Sequence, residues 1–387
     1  MTSKSLPVRA ALIGLSSSGT TSWAANAHLP VLKTPAGRSK IAITALLNSS
    51  VEAAKAAIQK HEFPATTKAY GGPGDLAADP DIDFVICNTR VDKHREVIMP
   101  SIKAGKDIYV EWPIASNKDH IQEIVEAARQ SGSRVAVGLQ RRWDPAVVKL
   151  QEVLDGGKGE LGKILSSSVQ AFGGIPFRDM MPPGLIYFTD KEIGGNSITI
   201  GVGHILDSIL TVLGPLSPSS IHSKSQIQRP SLGVPDTETQ KVTRHITSNV
   251  PDLLSLHATL APSAQTAPNA TLAFLFRNGP AFPGDPALTW SINCEKGEIK
   301  LVSPTSPFFQ FSDNDAAVKI QVHDFASGEV RDVGCEWSKE QIEVPILARD
   351  VMGCLFAFVE GREEGDGWVG LEDAARFAEV IGRFVEV

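Results

Sequence analysis

Cysteine is scarce in this chain. Four occur in 387 residues, Cys87, Cys294, Cys335 and Cys354, and none forms a Cys-x-x-Cys pair or has a histidine at metal-ligand spacing. That argues against a disulfide-built scaffold or a metal site and for reduced, buried thiols. Basic runs are missing too. Lysine plus arginine number 37 against 44 acidic residues, a net charge of −7, which suits neither nucleic acid nor an anionic membrane surface. No apolar run is long enough to span a bilayer. Met1 to Pro7 is short and polar, so no secretory leader is expected. The expectation is a cytoplasmic protein with access to the nucleus left open.

What is present is an ordinary globular composition, 42% hydrophobic and 21% charged, in a chain long enough for two domains. Val8 to Leu15, Ile41 to Leu47, Ile82 to Cys87, Ile108 to Val110 and Arg134 to Leu139 are buried-strand runs. Helical patterns over Val51 to His61, His94 to Ala104 and Asp119 to Ser131 alternate with them. Strands alternating with helices predict a doubly wound parallel sheet, a Rossmann domain over residues 1–139. The texture then changes. A helix over Ala146 to Leu154 is followed by apolar–polar alternation with Pro/Gly breaks at Ile164 to Phe172, Ser220 to Gln228, Leu253 to Leu260, Ala270 to Phe276, Leu288 to Ile292, Glu298 to Val302 and Ala317 to Val322. That predicts an α+β domain over residues 140–387 with a large, mostly antiparallel open sheet. One helix, Asn196 to Leu213, interrupts the sheet, and Leu347 to Glu360 and Glu372 to Phe384 close the chain. Arg229 to Glu238 and Ala261 to Ala267 read as surface loops.

Two strand ends carry chemistry. Gly14-Leu15-Ser16-Ser17-Ser18-Gly19 follows the first strand with dinucleotide-fingerprint spacing, Ser16 standing at the middle glycine position. Glycines there allow a tight turn and close approach to a pyrophosphate. Trp23, in the lengthened loop that follows, either covers a cofactor or fills a gap. The second strand ends Asn48-Ser49, where an acid would select NAD; the neutral pair permits NAD or NADP. Asp107-Ile108-Tyr109-Val110-Glu111-Trp112-Pro113 is a buried strand stopped by a proline. Ligands of open parallel sheets bind at such carboxyl ends, so Glu111 and Trp112 are expected to face the cofactor.

These motifs, together with His28-Leu29-Pro30-Val31-Leu32, Asn88-Thr89 with His94, Gln140-Arg141-Arg142-Trp143-Asp144-Pro145, Gly159-Glu160-Leu161-Gly162-Lys163-Ile164, Gly194-Gly195 leading to His204 and Asp207, and Lys296-Gly297, run in order along nearly the whole chain. The sequence resembles the Gfo/Idh/MocA oxidoreductases, in the branch that includes the galactose-pathway repressors of yeasts. The resemblance implies a Rossmann domain binding NAD or NADP. It also implies a second domain whose sheet holds a small-molecule substrate on one face and forms a homodimer with the other. By the same resemblance, Gly14, Ser16, Ser17, Gly19, Trp23, Asn48, Asn88, Thr89, His94, Glu111, Trp112, Pro113 and Gln140 are the cofactor-side residues.

The chain departs from the family at two places. The usual strand end is Glu-Lys-Pro, with the lysine serving as proton donor; here Trp112 stands in its place. An Asp four residues before the later histidine is common; here it is Ile200. Trp112 has one neutral N–H and a flat face but no transferable proton. His204, whose ordinary pKa is near neutral, and Tyr187 are the remaining candidates for catalysis. Asp207 lies about one helical turn from His204. Arg142 and Arg178 can bind an anionic substrate group, the latter on the segment Gly173 to Ile193.

Two functions stay open: an NAD(P)-dependent oxidoreductase acting on a small carbonyl, imine or sugar-like substrate, and a non-catalytic dinucleotide-binding transcriptional regulator or sensor with a protein partner. Trp112→Lys restores the usual donor and is expected to give sugar dehydrogenase activity, followed as NADH or NADPH formation over a panel of polyols. No gain would mean that the substrate side has diverged as well.

Overall fold

The computed structural model describes residues 6–17, 22–155, 158–175, 177–309 and 317–386. Six strands come first: β1 (Val8–Ile13), β2 (Ile41–Leu47), β3 (Lys68–Tyr70), β4 (Phe84–Cys87), β5 (Asp107–Glu111) and β6 (Val135–Gly138). Between them run helices α1 (Leu29–Lys33), α2 (Pro35–Lys40), α3 (Val51–Lys60), α4 (Pro73–Ala78), α5 (Val91–Lys103) and α6 (Lys118–Ser131). Side-chain caps start the crossovers. Ser50 accepts the Ala53 amide at the head of α3, and Asn117 accepts that of His120 at the head of α6. Every residue of β5 is buried, as expected of a strand covered by helices on both faces.

The chain continues through α7 (Pro145–Leu154), β7 (Ile164–Gly173), α8 (Gly203–Leu213) and strands β8 (His222–Gln226), β9 (Ser231–Pro235), β10 (Val242–Thr247), β11 (Leu253–Thr259), β12 (Thr266–Asn278), β13 (Leu288–Cys294), β14 (Gly297–Ser303), β15 (Lys319–Asp324) and β16 (Val330–Val333). It ends with α9 (Ile346–Val359), β17 (Val369–Gly370) and α10 (Leu371–Gly382). Among the described residues the first sheet has the order β17-β6-β5-β4-β1-β2-β3. Its first six strands are parallel and β17 is antiparallel to β6. The second sheet runs β16-β15-β14-β13-β7-β12-β11-β8, with β7 and β12 its parallel pair. This is the expected Rossmann sheet and the expected mostly antiparallel sheet.

The structure corrects four expectations. The chain divides into two compact units, but not at a single point: residues up to Trp143, Glu192–Gly195 and Ser338–Glu379 form the first, and Asp144–Lys191, Asn196–Trp337 and Val380–Val387 the second. The boundary expected at residue 140 is close to the first crossing, whereas α9 and β17 return to the first unit. Arg229 to Glu238 is not a loop throughout, because β9 pairs with β10 in a hairpin. A glycine and a proline in β9 and a mostly exposed β10 hide its pattern. Ala261 to Ala267 overlaps the start of β12. The helix expected from Asn196 opens as a π-helical turn, Ser197–Val202, before α8; Asn196 caps it by accepting the amides of Ile198 and Thr199.

The returning helix α9 is held by Trp143. Its indole N–H donates to the Gly367 carbonyl at 2.6 Å. The ring lies so close to α9 that a Cβ on Gly353 would come within 2.4 Å of Trp143 Cδ2, and one on Gly367 within 2.5 Å of Cζ2. Gly353→Val is therefore expected to destabilise the protein by about 1–3 kcal/mol, read as a lower midpoint in thermal unfolding. A second change, Trp143→Leu, should recover part of the loss. An unchanged midpoint for Gly353→Val would show that the indole moves aside freely.

Candidate functional site

The strand order of the first sheet reverses between β1 and β4, and the crevice at their carboxyl ends is the usual ligand position of such sheets. Gly14 turns the chain out of β1 with φ +89°, and its amide donates to the Leu47 carbonyl at 3.1 Å. A Cβ at Gly14 would stand 2.9 Å from the Asn88 carbonyl oxygen and 3.1 Å from Thr89 Cγ2, so only glycine fits. The Asn88 amide N–H in turn donates to the Ile13 carbonyl at 3.0 Å. Both polar atoms of the Asn88 side chain are buried without a partner. Trp23 Nε1 and Gln140 Oε1 share that condition.

Behind the turn, the loop after β1 is tied to α3. Asn48 Nδ2 donates to the carbonyls of Leu15 (3.0 Å) and Ala53 (3.3 Å). Lys60 Nζ donates to the Ser17 carbonyl (2.5 Å), and His61 Nε2 meets the Ser16 carbonyl (3.1 Å). Lys60 and His61 carry no motif of their own and were not expected here. Gly19 lies outside the described residues.

Glu111 is only 8% exposed, and its carboxylate accepts from His28 Nε2 at 2.5 Å, with His28 wholly buried. Gly138 is the register partner of Glu111 on β6, and a Cβ there would come 2.5 Å from Glu111 Oε2. His28 stands edge-on to the Tyr109 ring at 5.5 Å. Trp112 is 4% exposed and rests its indole on Phe377 of α10, centroids 5.3 Å apart. Glu111 and Trp112 are thus both held in place at the end of β5. His94 is buried too, with Nδ1 facing the Pro113 carbonyl and Nε2 the Thr89 carbonyl, each at 2.9 Å. Burial pushes its pKa down against the pull of those two carbonyls. It ties the β4 turn to the β5 turn and has no surface left for a ligand.

The unmatched groups of Asn88, Gln140 and Trp23 are what the polar atoms of a nicotinamide dinucleotide would satisfy at this edge. The thiols play no part. None of the four cysteines is in a disulfide, and burial pushes Cys87 and Cys335 up to about 11 and Cys294 up to about 12. Among the described residues no His/Cys/Asp/Glu group could hold a metal ion.

The remaining expected residues divide between the units. Arg142 is in the first, on the 3-10 turn Gln140–Trp143, beside Arg141, whose guanidinium lies 3.7 Å from the buried carboxylate of Asp350. His204 and Asp207 are buried on α8 of the second unit. Tyr187 and Arg178 are also there: Tyr187 packs edge-on against Phe188 at 4.8 Å, and Arg178 donates to the Pro280 carbonyl at 2.9 Å. The Gly194-Gly195 motif has a steric cause. Its segment belongs to the first unit, and a Cβ on Gly194 would meet Ser116 Cα at 2.3 Å.

A family model for NAD-binding Rossmann-fold oxidoreductases matches residues 8–139, and one for the Gal80p C-terminal domain matches residues 145–303. Dehydrogenase aclE of Aspergillus oryzae is 30% identical over 298 residues, 77% of either chain. The galactose/lactose metabolism regulatory protein GAL80 of Saccharomyces cerevisiae is 27% identical over 306 residues, 76% of this chain and 66% of that protein. The crystal structure of a super-repressor mutant of Gal80p from the same yeast superposes with a TM-score of 0.83 at 20% identity, covering 97% of this chain and 94% of that one. No helix of the described residues is long and apolar enough to cross a membrane. With its cofactor frame matched over residues 8–139 and 30% identity to a dehydrogenase across most of its length, the chain belongs to the NAD-binding Gfo/Idh/MocA oxidoreductase family.

Proposed function

We propose that this protein is an NAD(P)-dependent oxidoreductase that moves a hydride between the nicotinamide and a small carbonyl, imine or sugar-like substrate. The observation that carries the reading is the side chain of Asn88, buried and unmatched beside the Gly14 turn. Leaving such a group unsatisfied costs roughly 1–3 kcal/mol, and a bound dinucleotide would meet it. Gly14 and Asn88 would bind, Trp23 and Gln140 would orient, and His94 would hold the two turns in place. The nicotinamide, when bound, supplies or accepts the hydride. The proton must come from elsewhere than Trp112, and His204 and Tyr187 are the groups assigned to it, with Asp207 steadying the histidine helix. Arg142 and Arg178 are the candidate anchors for the substrate. The neutral Asn48 excludes neither NAD nor NADP. A homodimer through the eight-stranded sheet and a cytosolic location belong to the same proposal.

A second reading also has support: Trp112, which by the family resemblance stands where a lysine is usual, is packed on Phe377, and the 27% identical GAL80 is a regulatory protein. In that reading the dinucleotide is sensed and a protein partner is bound.

Asn88→Ala is expected to weaken NADH and NADPH binding by about tenfold, the worth of one hydrogen-bonded group, measured by calorimetry. Failure of the unaltered protein to bind either nucleotide would end both readings. Absorbance of NADH and NADPH against a panel of carbonyls, imines and sugars should show turnover, and His204→Asn should cut kcat by roughly 10²- to 10⁴-fold while nucleotide affinity holds. Tight nucleotide binding with no turnover, and a protein partner recovered by pull-down, would instead favour the regulator.

A further inference from the structure

A partly open pocket lies inside the second unit, between Ile175, the segment from Phe177 to Met181, the turns near 229 and 250 and the end of β12. Its floor is apolar: Ile175, Met181 and Leu232 form a small buried cluster with Phe188 packed on it. Its rim is cationic. Arg178 and Arg229 line it, and Arg277 stands beside them, because Arg178 and Arg277 both donate to the Pro280 carbonyl, at 2.9 and 3.2 Å. Burial, and then the charges of Arg178 and Arg229, push the Arg277 guanidinium below its ordinary pKa.

Among the described residues one carboxylate lines the pocket, and it is already engaged. Asp252 accepts the amides of Gln228 (2.7 Å) and Arg229 (3.1 Å), with the Arg229 guanidinium 3.9 Å away. Arg178 is also held in place. The turn at Gly279, φ +85°, passes so close that a Cβ would come 2.6 Å from Arg178 Cγ. The adjoining backbone is bonded to β9: the Met181 amide donates to the Gly233 carbonyl and the Gly233 amide to the Asp179 carbonyl, both at 2.8 Å. A third group faces the same space. Asn278 Nδ2 donates to Ser197 Oγ at 3.1 Å, while its Oδ1 is buried with no donor.

We propose that this pocket binds a small organic acid, its carboxylate held by Arg178 and Arg229, its apolar body on Met181, Leu232 and Phe188, and a hydroxyl or amine donor offered to Asn278. Guanidinium forks match the two oxygens of a carboxylate. The apolar floor has nothing to offer a bare inorganic anion. The inference deepens the proposed function by naming a substrate class, and rests on it only in taking the second unit as the ligand-holding one.

The test is calorimetric titration of the full chain without nucleotide, using mandelate, phenylacetate, mandelamide and inorganic phosphate. Mandelate should bind, mandelamide about tenfold or more weaker, and phenylacetate between them, as expected from the loss of one charged or one neutral hydrogen bond. Arg178→Gln with Arg229→Gln should abolish the preference for acid over amide without lowering the melting temperature. Asn278→Leu should remove the preference for mandelate over phenylacetate. Equal binding of mandelate and mandelamide, phosphate binding as tight as mandelate, an unaffected arginine double variant, or no binding of any acid would each overturn the proposal. Nucleotide binding and turnover with no acid bound would leave the oxidoreductase reading standing and end this one.

Discussion

The carboxyl edge of the first sheet depends on how closely two strand ends meet. Gly14 sits against the Asn88 main chain, and the ends of β1, β2 and β4 are cross-bonded through the amides of Gly14 and Asn88. The backbone is locked on both sides, and the polar atoms of the Asn88 side chain lie out of reach of water. Its amide stays buried and unmatched, a local cost borne by a well-packed surround. A site formed in this way is already in shape before any ligand arrives, which saves the ordering cost of binding.

Buried polar groups stand behind that edge and hold it. Glu111 reaches His28, Arg141 faces Asp350, and His94 spans two carbonyls. Pairs of this kind add little net stability, since desolvation offsets most of the attraction, but removing one partner is costly. Their use here is positional. Glu111 fixes where β5 ends against a first π-helical turn, Ala24–His28, and His94 fixes how the turns after β4 and β5 lie against each other. Trp112, just past the end of β5, turns its indole onto α10 and adds apolar contact there.

Much of this could be read from residues alone, and the limits have physical causes. The strands of the first sheet are buried on both faces, so they appear as continuous apolar runs. The glycines at 14, 138, 194 and 353 answer to close contacts, yet only those in a motif, such as Gly14 and Gly194, stood out. Glu111 was read as a strand-end group, but its partner His28 lies 83 residues earlier and gives no local signal. The β9–β10 hairpin was missed because a mostly exposed strand needs no alternation. The pocket near Arg178 was half visible: the arginine was singled out, while Arg229, Arg277 and Asn278 come from other turns that only the fold assembles. The packing of Trp112 on Phe377 was likewise invisible, since it joins a strand end to a helix near the other end of the chain.

The return of α9 and β17 to the first unit has a consequence for how the protein is made. The core that receives α9 is laid down before Trp143 leaves the ribosome, whereas the helix that completes it, with Met352, Leu355 and Phe358 buried in that core, follows about 200 residues later. At translation rates of roughly 5–20 residues per second the gap is on the order of 10–40 s. For that interval the half-built Rossmann sheet would present an apolar face and an open edge at β6, where nascent chains of this kind call on chaperones. A fragment cut after residue 139 would keep that exposed state permanently.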